Sequence, residues 1–330
     1  MLKTLSGHDT LSKTNWDIIE SFISTQSWHQ KEPALKTDIE DKLLNQTIKY
    51  GAFFLGFDFH IDVNGPQLIE INTNAGGFHT LPILYPEKRD EIEKKITNGL
   101  IQEFKLAGGG ELRSIAIVDD EIEKQFLYNE MKWVASLLNK ASIDALLLRP
   151  EDLEIREDGL YYEERKIDLI YNRLTDFRLL EARHAEIRKT AEEGTIIITP
   201  HPAAYVRIAD KRNFLKIKSP LIPETHFLSD RPVEEWFAEK NEWVFKPSDQ
   251  AGSKGVYRGD KISAAKMRSL PPETLVQKYI PAMKSEQGTK YDIRVYTIET
   301  EILGVVGRHY TGQVMEMRSE LSGFRRVEIV

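Results

Sequence analysis

The chain has 330 residues, of which 41% are hydrophobic and 29% charged, so we expect a folded protein with two or three lobes. Its net charge of -7 argues against binding to a nucleic-acid backbone, which requires a concentrated basic surface. The chain has no cysteine, which excludes disulfides and cysteine-based zinc sites, and no membrane-length apolar run or signal-peptide core, so we expect a cytoplasmic location.

The first third of the chain predicts an extension, two helices and two strands. Residues 1–36 are polar and predict an irregular or helical extension, and residues 38–50 and 87–106 have helical spacing. Between the helices, residues 53–63 and 67–72 predict strands joined by the turn signal Asn64-Gly65. The glycines at 108–110 predict a domain boundary, since no strand precedes them as it would in a phosphate loop.

From residue 113 the pattern alternates between strands and helices. We predict strands at 114–118, 144–148, 167–171 and 195–198, and helices at 123–140 and 179–193. This β-α-β order favours a small parallel sheet. Residues 201–330 are again rich in strands, predicted at 243–246, 274–279, 291–297 and 302–308. The fold class is therefore α/β (α+β), and we divide the chain into 1–36, 37–112, 113–205 and 206–330.

The strand at 67–72 carries a carboxylate and an amide on one face. Glu70 and Asn72 are two residues apart and therefore point to the same side, directly before a turn that contains Asn74 and Gly76. Two oxygen donors side by side suit a hard cation such as Mg²⁺ bridging phosphates. A solvated edge strand explains these residues equally well when they are taken alone.

Three later segments suit the binding of a nucleotide. Lys246 ends a strand and precedes a loop of small residues, where backbone N–H groups can surround phosphate oxygens, although the Walker A pattern is absent. Gln277 lies on a strand that ends at a proline, a junction that can meet a purine edge. Asp292 and Arg294 share a strand face, where the arginine is either half of an ion pair or a phosphate clamp. A flexible hairpin with a surface lysine remains the alternative for the first segment.

Taken together, these segments resemble the ATP-grasp superfamily, and Lys211 in the run Ala209-Asp-Lys-Arg-Asn-Phe adds to the likeness. The resemblance implies catalytic roles for Lys246, Arg294 and Arg308, and Mg²⁺ binding by Asp58, Glu70 and Asn72. It implies that ATP is bound by Lys211, Lys246, Gln250, Gly252, Ser253, Lys254, Gly255, Gln277, Lys278, Tyr279, Ile280 and Asp292.

The order of the motifs departs from the family, because the Glu70-x-Asn72 motif comes first instead of last. Joining the strand-like end at Val330 to about Asp38 restores the usual order. We therefore expect a circularly permuted ATP-grasp protein, with a layout similar to eukaryotic glutathione synthetase and glutathionylspermidine-synthase-like proteins. Residues 37–112 would be the permuted metal-binding part, 113–205 the small substrate domain and 206–330 the ATP-binding lobe. The Glu70 strand should lie beside strand 291–297 in one sheet.

Arg173 lies at the end of a strand in the small domain and is a candidate for substrate binding, together with Asn74 and Gly76. An ion pair with Asp176 is the alternative for Arg173, and for His79 and His201 we expect structural roles.

The resemblance implies an ATP- and Mg²⁺-dependent ligase that joins a small-molecule or peptide carboxylate to an amine or thiol through an acyl phosphate. Loops 249–255 and 284–289 are expected to close over this intermediate. Two alternatives stay open, namely an ATP-grasp kinase that phosphorylates a small molecule and a catalytically silent nucleotide-binding protein.

Overall fold

The computed structural model describes residues 2–30, 52–247, 255–312, 317 and 319–330. The helix predicted at 38–50 and the predicted ATP ligands Gln250, Gly252, Ser253 and Lys254 lie outside these residues. The described α-helices are Lys13–Thr25, Leu81–Leu84, Arg89–Leu106, Tyr128–Lys140, Ala185–Glu193, Pro202–Ala204, Val233–Ala238 and Ala264–Arg268.

The strands are numbered along the chain and form four sheets. They are β1 (Thr4–Leu11), β2 (Phe54–Asp62), β3 (Gly65–Asn72), β4 (Ser114–Val118), β5 (Asp144–Leu148), β6 (Glu154–Arg156), β7 (Gly159–Tyr162), β8 (Arg165–Ile167), β9 (Leu169–Asn172), β10 (Ile197–Thr199), β11 (Thr225–Phe227), β12 (Trp243–Lys246), β13 (Tyr257–Arg258), β14 (Leu275–Lys278), β15 (Met283–Lys284), β16 (Lys290–Ile298), β17 (Glu301–Tyr310) and β18 (Gly323–Ile329).

The largest sheet has seven strands in the order β1-β18-β17-β16-β2-β3, with β15 beside β16. The hairpin β2–β3 and the strand β16 thus share one sheet, which confirms the prediction made from the Glu70 strand. The predicted adjacency is wrong, because β2 lies between β3 and β16. Strand β2 pairs antiparallel with both neighbours, so Asp58 lies opposite Arg294 on one side and opposite Glu70 on the other.

The small sheet has the order β10-β9-β4-β5, and every pair in it is parallel, which confirms the predicted parallel sheet and the α/β class. Its strand β4 is buried along its whole length. Ile115 and Ile117 on one face pack in the same core as Leu100 of the helix Arg89–Leu106 and Val134 of the helix Tyr128–Lys140. A covered parallel sheet explains why β4 is a continuous apolar run.

A third, antiparallel sheet has the order β11-β14-β12-β13. Trp243 and Phe245 alternate along β12 toward a core that also contains Trp236 of the helix Val233–Ala238. The indole groups of Trp236 and Trp243 meet edge to face with their centroids 5.2 Å apart. This packing fixes one face of β12, so the intervening positions of the strand face away from that core.

The N-terminal segment contains the helix Lys13–Thr25, in agreement with the helical alternative of its prediction. It begins, however, with strand β1, which was not predicted and which pairs parallel with β18. The backbone N–H of Val330 donates to the carbonyl of Leu11 at 2.9 Å, and the N–H of Lys13 donates to the carbonyl of Val330 at 2.6 Å. Strand β1 is polar and buries only Asp9 and Leu11, so its sequence lacks the alternation that indicates a strand. Across the described ranges, no helix has the length and apolar character required to cross a membrane.

Candidate active site

A cavity lies between the large sheet and the antiparallel sheet β11–β14–β12–β13, and strands of both sheets line it. Six basic and three acidic side chains line this cavity, although the chain as a whole has a net charge of -7. The cavity is therefore suited to a small anion in an otherwise acidic protein. It brings together ten residues that were selected from the sequence: Asp58, Glu70, Lys211, Lys246, Gln277, Lys278, Tyr279, Ile280, Asp292 and Arg308.

Asp58 is buried in a network of arginines at one wall of the cavity. Arg294, opposite on β16, binds both carboxylate oxygens, with Nε 2.5 Å from Oδ1 and Nη2 2.6 Å from Oδ2. Nη2 of Arg308 lies 2.8 Å from Oδ2. Burial raises the pKa of the Asp58 carboxyl, but the two guanidinium groups outweigh burial and hold the pKa below its usual value. Asp58 is therefore ionised at neutral pH.

Arg308 contacts two carboxylates through two of its three guanidinium nitrogens. It lies opposite Asp292 in the β16–β17 register, and its Nε and Nη2 each donate to that carboxylate at 2.7 Å. Its buried Nη1 has no hydrogen-bond partner within the described ranges. A buried donor without a partner costs free energy comparable to a lost hydrogen bond. Because Arg308 lines the cavity, a phosphate oxygen bound there would be a suitable acceptor.

Two lysines bring ammonium groups to the same cavity. Nζ of Lys246 donates to Oε1 of Gln277 at 2.6 Å and to the carbonyl of Ile69 at 3.3 Å. Neither acceptor carries a full charge, and burial lowers the pKa of Lys246 to about 8. Nζ of Lys211 instead lies 3.3 Å from Oε1 of Glu70, in an ion pair. Of these two lysines, Lys246 is therefore the one whose charged form an added anion would stabilise more.

The residues predicted to bind Mg²⁺ are two carboxylates and one amide on adjacent strands. Asp58 lies opposite Glu70 in the β2–β3 register, and Nδ2 of Asn72 donates to Oδ2 of Asp58 at 3.2 Å. Among the residues that the structure describes, no cluster of three or more His, Asp or Glu side chains could hold a metal. Mg²⁺ commonly binds one or two carboxylates together with substrate phosphates. Of the three residues, only Asp58 and Glu70 line the cavity, where they fit a cation that binds with a polyphosphate. The role of all three as metal ligands stays a prediction.

His60 lines the cavity and is absent from the residues selected from the sequence. Its Nδ1 lies 2.7 Å from the carbonyl oxygen of Ile280, and since a carbonyl only accepts, Nδ1 carries the hydrogen. Burial lowers the pKa of His60, so the ring is neutral at pH 7 and Nε2 is an acceptor. The signal that could have found it is its position two residues after Asp58, on the same strand face.

The segment predicted to hold adenine already makes several bonds within the protein. The side chain of Gln277 is bound by Lys246 and also donates to Oγ1 of Thr225 at 3.1 Å. The backbone N–H groups of Lys278 and Tyr279 donate to the carbonyls of residues 224 and 242. The acceptor Nε2 of His60, beside the carbonyl of Ile280, is a side-chain group in the cavity that could meet a purine edge.

Six predicted residues are described but do not line the cavity. Arg294 lies behind Asp58 and also donates to the carbonyl of Gly76 at 3.3 Å, so it is held by protein groups on both sides. The geometry therefore favours Arg308 over Arg294 as the contact to a phosphate, because Arg308 lines the cavity and Arg294 does not. The six residues are Asn72, Asn74, Gly76, Arg173, Gly255 and Arg294.

Glu130, on the helix Tyr128–Lys140, connects the small domain to the glycine turn after β3. Its buried Oε2 accepts from the N–H of Gly77 at 2.7 Å and lies 3.0 Å from Nδ1 of His79. Its Oε1 accepts from Nη2 of Arg173 at 3.2 Å. Nothing in the local sequence pattern marks Glu130, because its partners come from two distant segments, the turn at residues 77–79 and the end of β9 at Arg173.

Arg173 is buried and its guanidinium also donates to the side chains of Asn74 and Tyr171. The alternative predicted for Arg173, an ion pair with Asp176, is wrong, because Oδ2 of Asp176 instead lies 2.8 Å from Nδ1 of His184. Its guanidinium is shared among protein groups, so a substrate would have to displace one of them. The proposed substrate contacts of Arg173, Asn74 and Gly76 stay a prediction.

Both histidines that were expected to be structural have protein partners. Nδ1 of His201 accepts from the N–H of Ala203 at 3.1 Å and caps the short helix Pro202–Ala204. Burial lowers the pKa of His201 to about 4, so it is neutral at physiological pH. His79 contacts Glu130 as described, and neither histidine lines the cavity.

No protein-family model matches the sequence, and no curated protein matches it. Among solved structures, a Methylobacillus flagellatus KT protein provisionally described as a gamma-glutamylcysteine synthetase is 13% identical, with a TM-score of 0.58 over 95% of this chain and 86% of that chain. D-alanyl-alanine synthetase A from Vibrio cholerae O1 is 12% identical, with a TM-score of 0.41 over 65% and 74% of the two chains. The ATP-grasp ligase PsnB, in complex with the precursor peptide PsnA2 and AMPPNP, is 12% identical, with a TM-score of 0.35 over 65% and 88%. The first likeness spans most of both chains and shows a shared fold.

Proposed function

We propose that this protein, whose fold is that of the ATP-grasp superfamily, is an ATP- and Mg²⁺-dependent ligase that joins a carboxylate to an amine or thiol. One observation carries the proposal. Lys211, Lys246 and Arg308 line one cavity with the carboxylates Asp58 and Glu70, although these residues come from distant parts of the chain. A cavity with cations around two oxygen donors matches the needs of a metal-bound triphosphate.

The proposed reaction has two steps. A substrate carboxylate oxygen attacks the γ-phosphorus, the bond to the β,γ-bridging oxygen breaks, and ADP leaves with an acyl phosphate formed. The amine then attacks the acyl carbon, phosphate leaves, and the amine loses a proton. Both steps need positioning and charge neutralisation more than covalent participation of the protein.

Each cation of the cavity has a part in this proposal. Lys211 and Lys246 would bind phosphate oxygens, and Nη1 of Arg308 would donate to the transferred group, where charge accumulates. Mg²⁺, bound through Asp58, Glu70 and the phosphates, would supply further neutralisation of the γ-phosphate. The arginine pair at Asp58 keeps that carboxylate ionised, which a metal ligand requires.

The name of the M. flagellatus protein supports the joining of a carboxylate to an amine, because a gamma-glutamylcysteine synthetase makes such a bond. For this chain the bond type is a proposal. We further propose that the chain is circularly permuted, with domains divided at about residues 36, 112 and 205. The pairing of β2 with β16 supports this, because it places the Glu70 motif in the sheet of the Asp292 strand.

The experiment is a screen of amino acids, peptides and polyamines for Mg²⁺-dependent ADP release. We expect release to require a carboxylate substrate together with an amine or thiol. Glu70→Gln should lower the rate by at least about a hundredfold, because a carboxylate ligand of the metal is lost while the shape of the side chain is kept. The matched control is Glu235→Gln, a change on the exposed face of the helix Val233–Ala238.

Two results would contradict the proposal. ADP release with a stable phosphorylated product and no need for a second substrate would indicate a kinase. Full activity of Glu70→Gln in folded protein would remove the metal assignment. Folding is checked by comparing urea unfolding of both variants with that of the wild type.

A further inference from the structure

Strand β1 is mostly exposed, and Asp9 is one of the two residues on it that are buried. The other, Leu11, packs in an apolar core, whereas Asp9 is an acid only 6% exposed. An ionised carboxylate is costly to bury unless it is paired and hydrogen-bonded. The partners of Asp9 therefore indicate what β1 contributes to the protein.

Asp9 reaches across β18 to partners on two strands. Its Oδ2 lies 2.8 Å from Nε2 of His309 on β17, and its Oδ1 lies 3.4 Å from Nη1 of Arg325 on β18. Gly307 leaves the space for this contact, since a Cβ at that position would be 2.0 Å from Oδ2 of Asp9. Gly307, one strand beyond β18, thus leaves the space that the carboxylate needs.

His309 and Arg325 both also contact the loop at residues 285–289. Nδ1 of His309 lies 2.9 Å from Oγ1 of Thr289, which in turn lies 2.7 Å from Oγ of Ser285. Nη2 of Arg325 donates to Oε1 of Gln287 at 3.0 Å. The two partners of Asp9 therefore hold the loop at its end and at its middle.

This loop connects β15 to β16, and the next residue, Lys290, lines the ligand cavity. Tyr291 follows Lys290 and stacks on His309, with the ring centroids 4.9 Å apart and the planes 8° apart. Nζ of Lys290 donates to the carbonyl of Gly312 at 2.8 Å. A displacement of the loop would therefore also displace a cationic part of the cavity wall.

We propose that Asp9 is a positioning residue for nucleotide binding, which acts through His309 and Arg325 on loop 285–289 and so places Lys290 at the cavity. The inference rests on the proposed ATP site. It gives the N-terminal strand a part in ligand binding, although no residue of β1 lines the cavity.

The test compares substituted proteins in two measurements, the Kd of Mg²⁺–ATP and the amide hydrogen exchange of residues 285–289. Asp9→Asn keeps the shape of the side chain but removes the charge that binds Arg325. We expect the Kd to rise about tenfold and exchange in the loop to increase. Thr10→Asn, on the exposed neighbour in the same strand, should change neither quantity.

A second variant tests the same path from the loop side. Thr289→Val removes the hydroxyl that contacts His309 and keeps the size of the side chain. This variant should also raise the Kd of Mg²⁺–ATP. The double variant should lose less binding free energy than the two single variants together, because both changes break the same chain of contacts.

A role confined to stability predicts an unchanged Kd in folded Asp9→Asn, and that result would overturn the inference. If Asp9→Asn does not fold, Thr289→Val decides, and an unchanged Kd again overturns it. Wild-type protein that binds no Mg²⁺–ATP would overturn the proposed function and this inference together. If the wild type binds Mg²⁺–ATP and the variants bind it with the same Kd, only the inference is overturned.

Discussion

The lowered pKa of Lys246 predicts that the protein takes up protons when it binds the proposed nucleotide in mildly basic solution. In the free protein, burial lowers the pKa of its ammonium group to about 8, and its bonded partners are the neutral Gln277 amide and a backbone carbonyl. Phosphate oxygens placed beside Lys246 would favour the charged form and return the pKa toward its ordinary value. Binding should therefore protonate the fraction of Lys246 that is neutral beforehand.

The size of the effect follows from the pKa. With a pKa of about 8, roughly three quarters of Lys246 is neutral at pH 8.5 and about a tenth at pH 7. If bound phosphate restores full protonation, each Mg²⁺–ATP takes up about three quarters of a proton at pH 8.5 and about a tenth at pH 7. Affinity should accordingly fall as the pH rises through 8, because the protein must be protonated to bind.

Isothermal titration of Mg²⁺–ATP in two buffers of different ionisation enthalpy measures the protons exchanged. Lys246→Arg keeps a cation that does not titrate, so its uptake at pH 8.5 should be near zero while it still binds. Lys218→Arg, at an exposed position, should behave as the wild type does. Uptake that is absent from the wild type at pH 8.5, or unchanged in Lys246→Arg, would refute the reasoning.

Two further predictions concern Glu103 and His60. Burial raises the pKa of Glu103 from 4.5 to about 7, so the folded state holds a proton that the unfolded state has released, and stability falls as pH rises between these values. The free energy of unfolding, measured with urea, should fall by about 2.5 kcal/mol less between pH 5 and pH 8 in Glu103→Gln than in the wild type. Parallel pH profiles of the two proteins would contradict this prediction. The acceptor Nε2 of His60 should favour adenine, so His60→Ala should reduce about five- to tenfold the binding preference for ATP over purine riboside triphosphate, which lacks the 6-amino group. If His60→Ala keeps the full preference for ATP, the adenine base does not contact His60.

The elements predicted most accurately are those that the local sequence pattern alone indicates. Strands β4, β5 and β12 have the predicted bounds, because short apolar runs between polar segments indicate buried strands. The two predicted helices at 123–140 and 179–193 begin later, at Tyr128 and Ala185. Short 3₁₀ turns precede both helices, and local pattern does not distinguish such turns from a first helical turn.

Ten of the cavity residues were predictable because each belongs to a short motif that carries chemistry. Glu70 and Asp292 were selected from their spacing along strands and Lys246 from its place before a loop of small residues, whereas Asp58 and Arg308 came from the ATP-grasp resemblance, which assigned all five to one site. Glu130 and Asp9 were not predictable in this way. Their significance lies in partners on distant strands and turns, and a single sequence contains no signal for such contacts.

The pairing of β2 with β16 has a consequence for how the chain folds during synthesis. Asp58 and Arg294 are separated by 236 residues, so the β2–β3 hairpin leaves the ribosome long before its neighbour in the sheet exists. At about 5–20 residues per second, this interval is roughly 10 to 50 s. One edge of β2 has no strand to pair with for that time, and the acidic side chains on this hairpin would help to prevent association with other nascent chains.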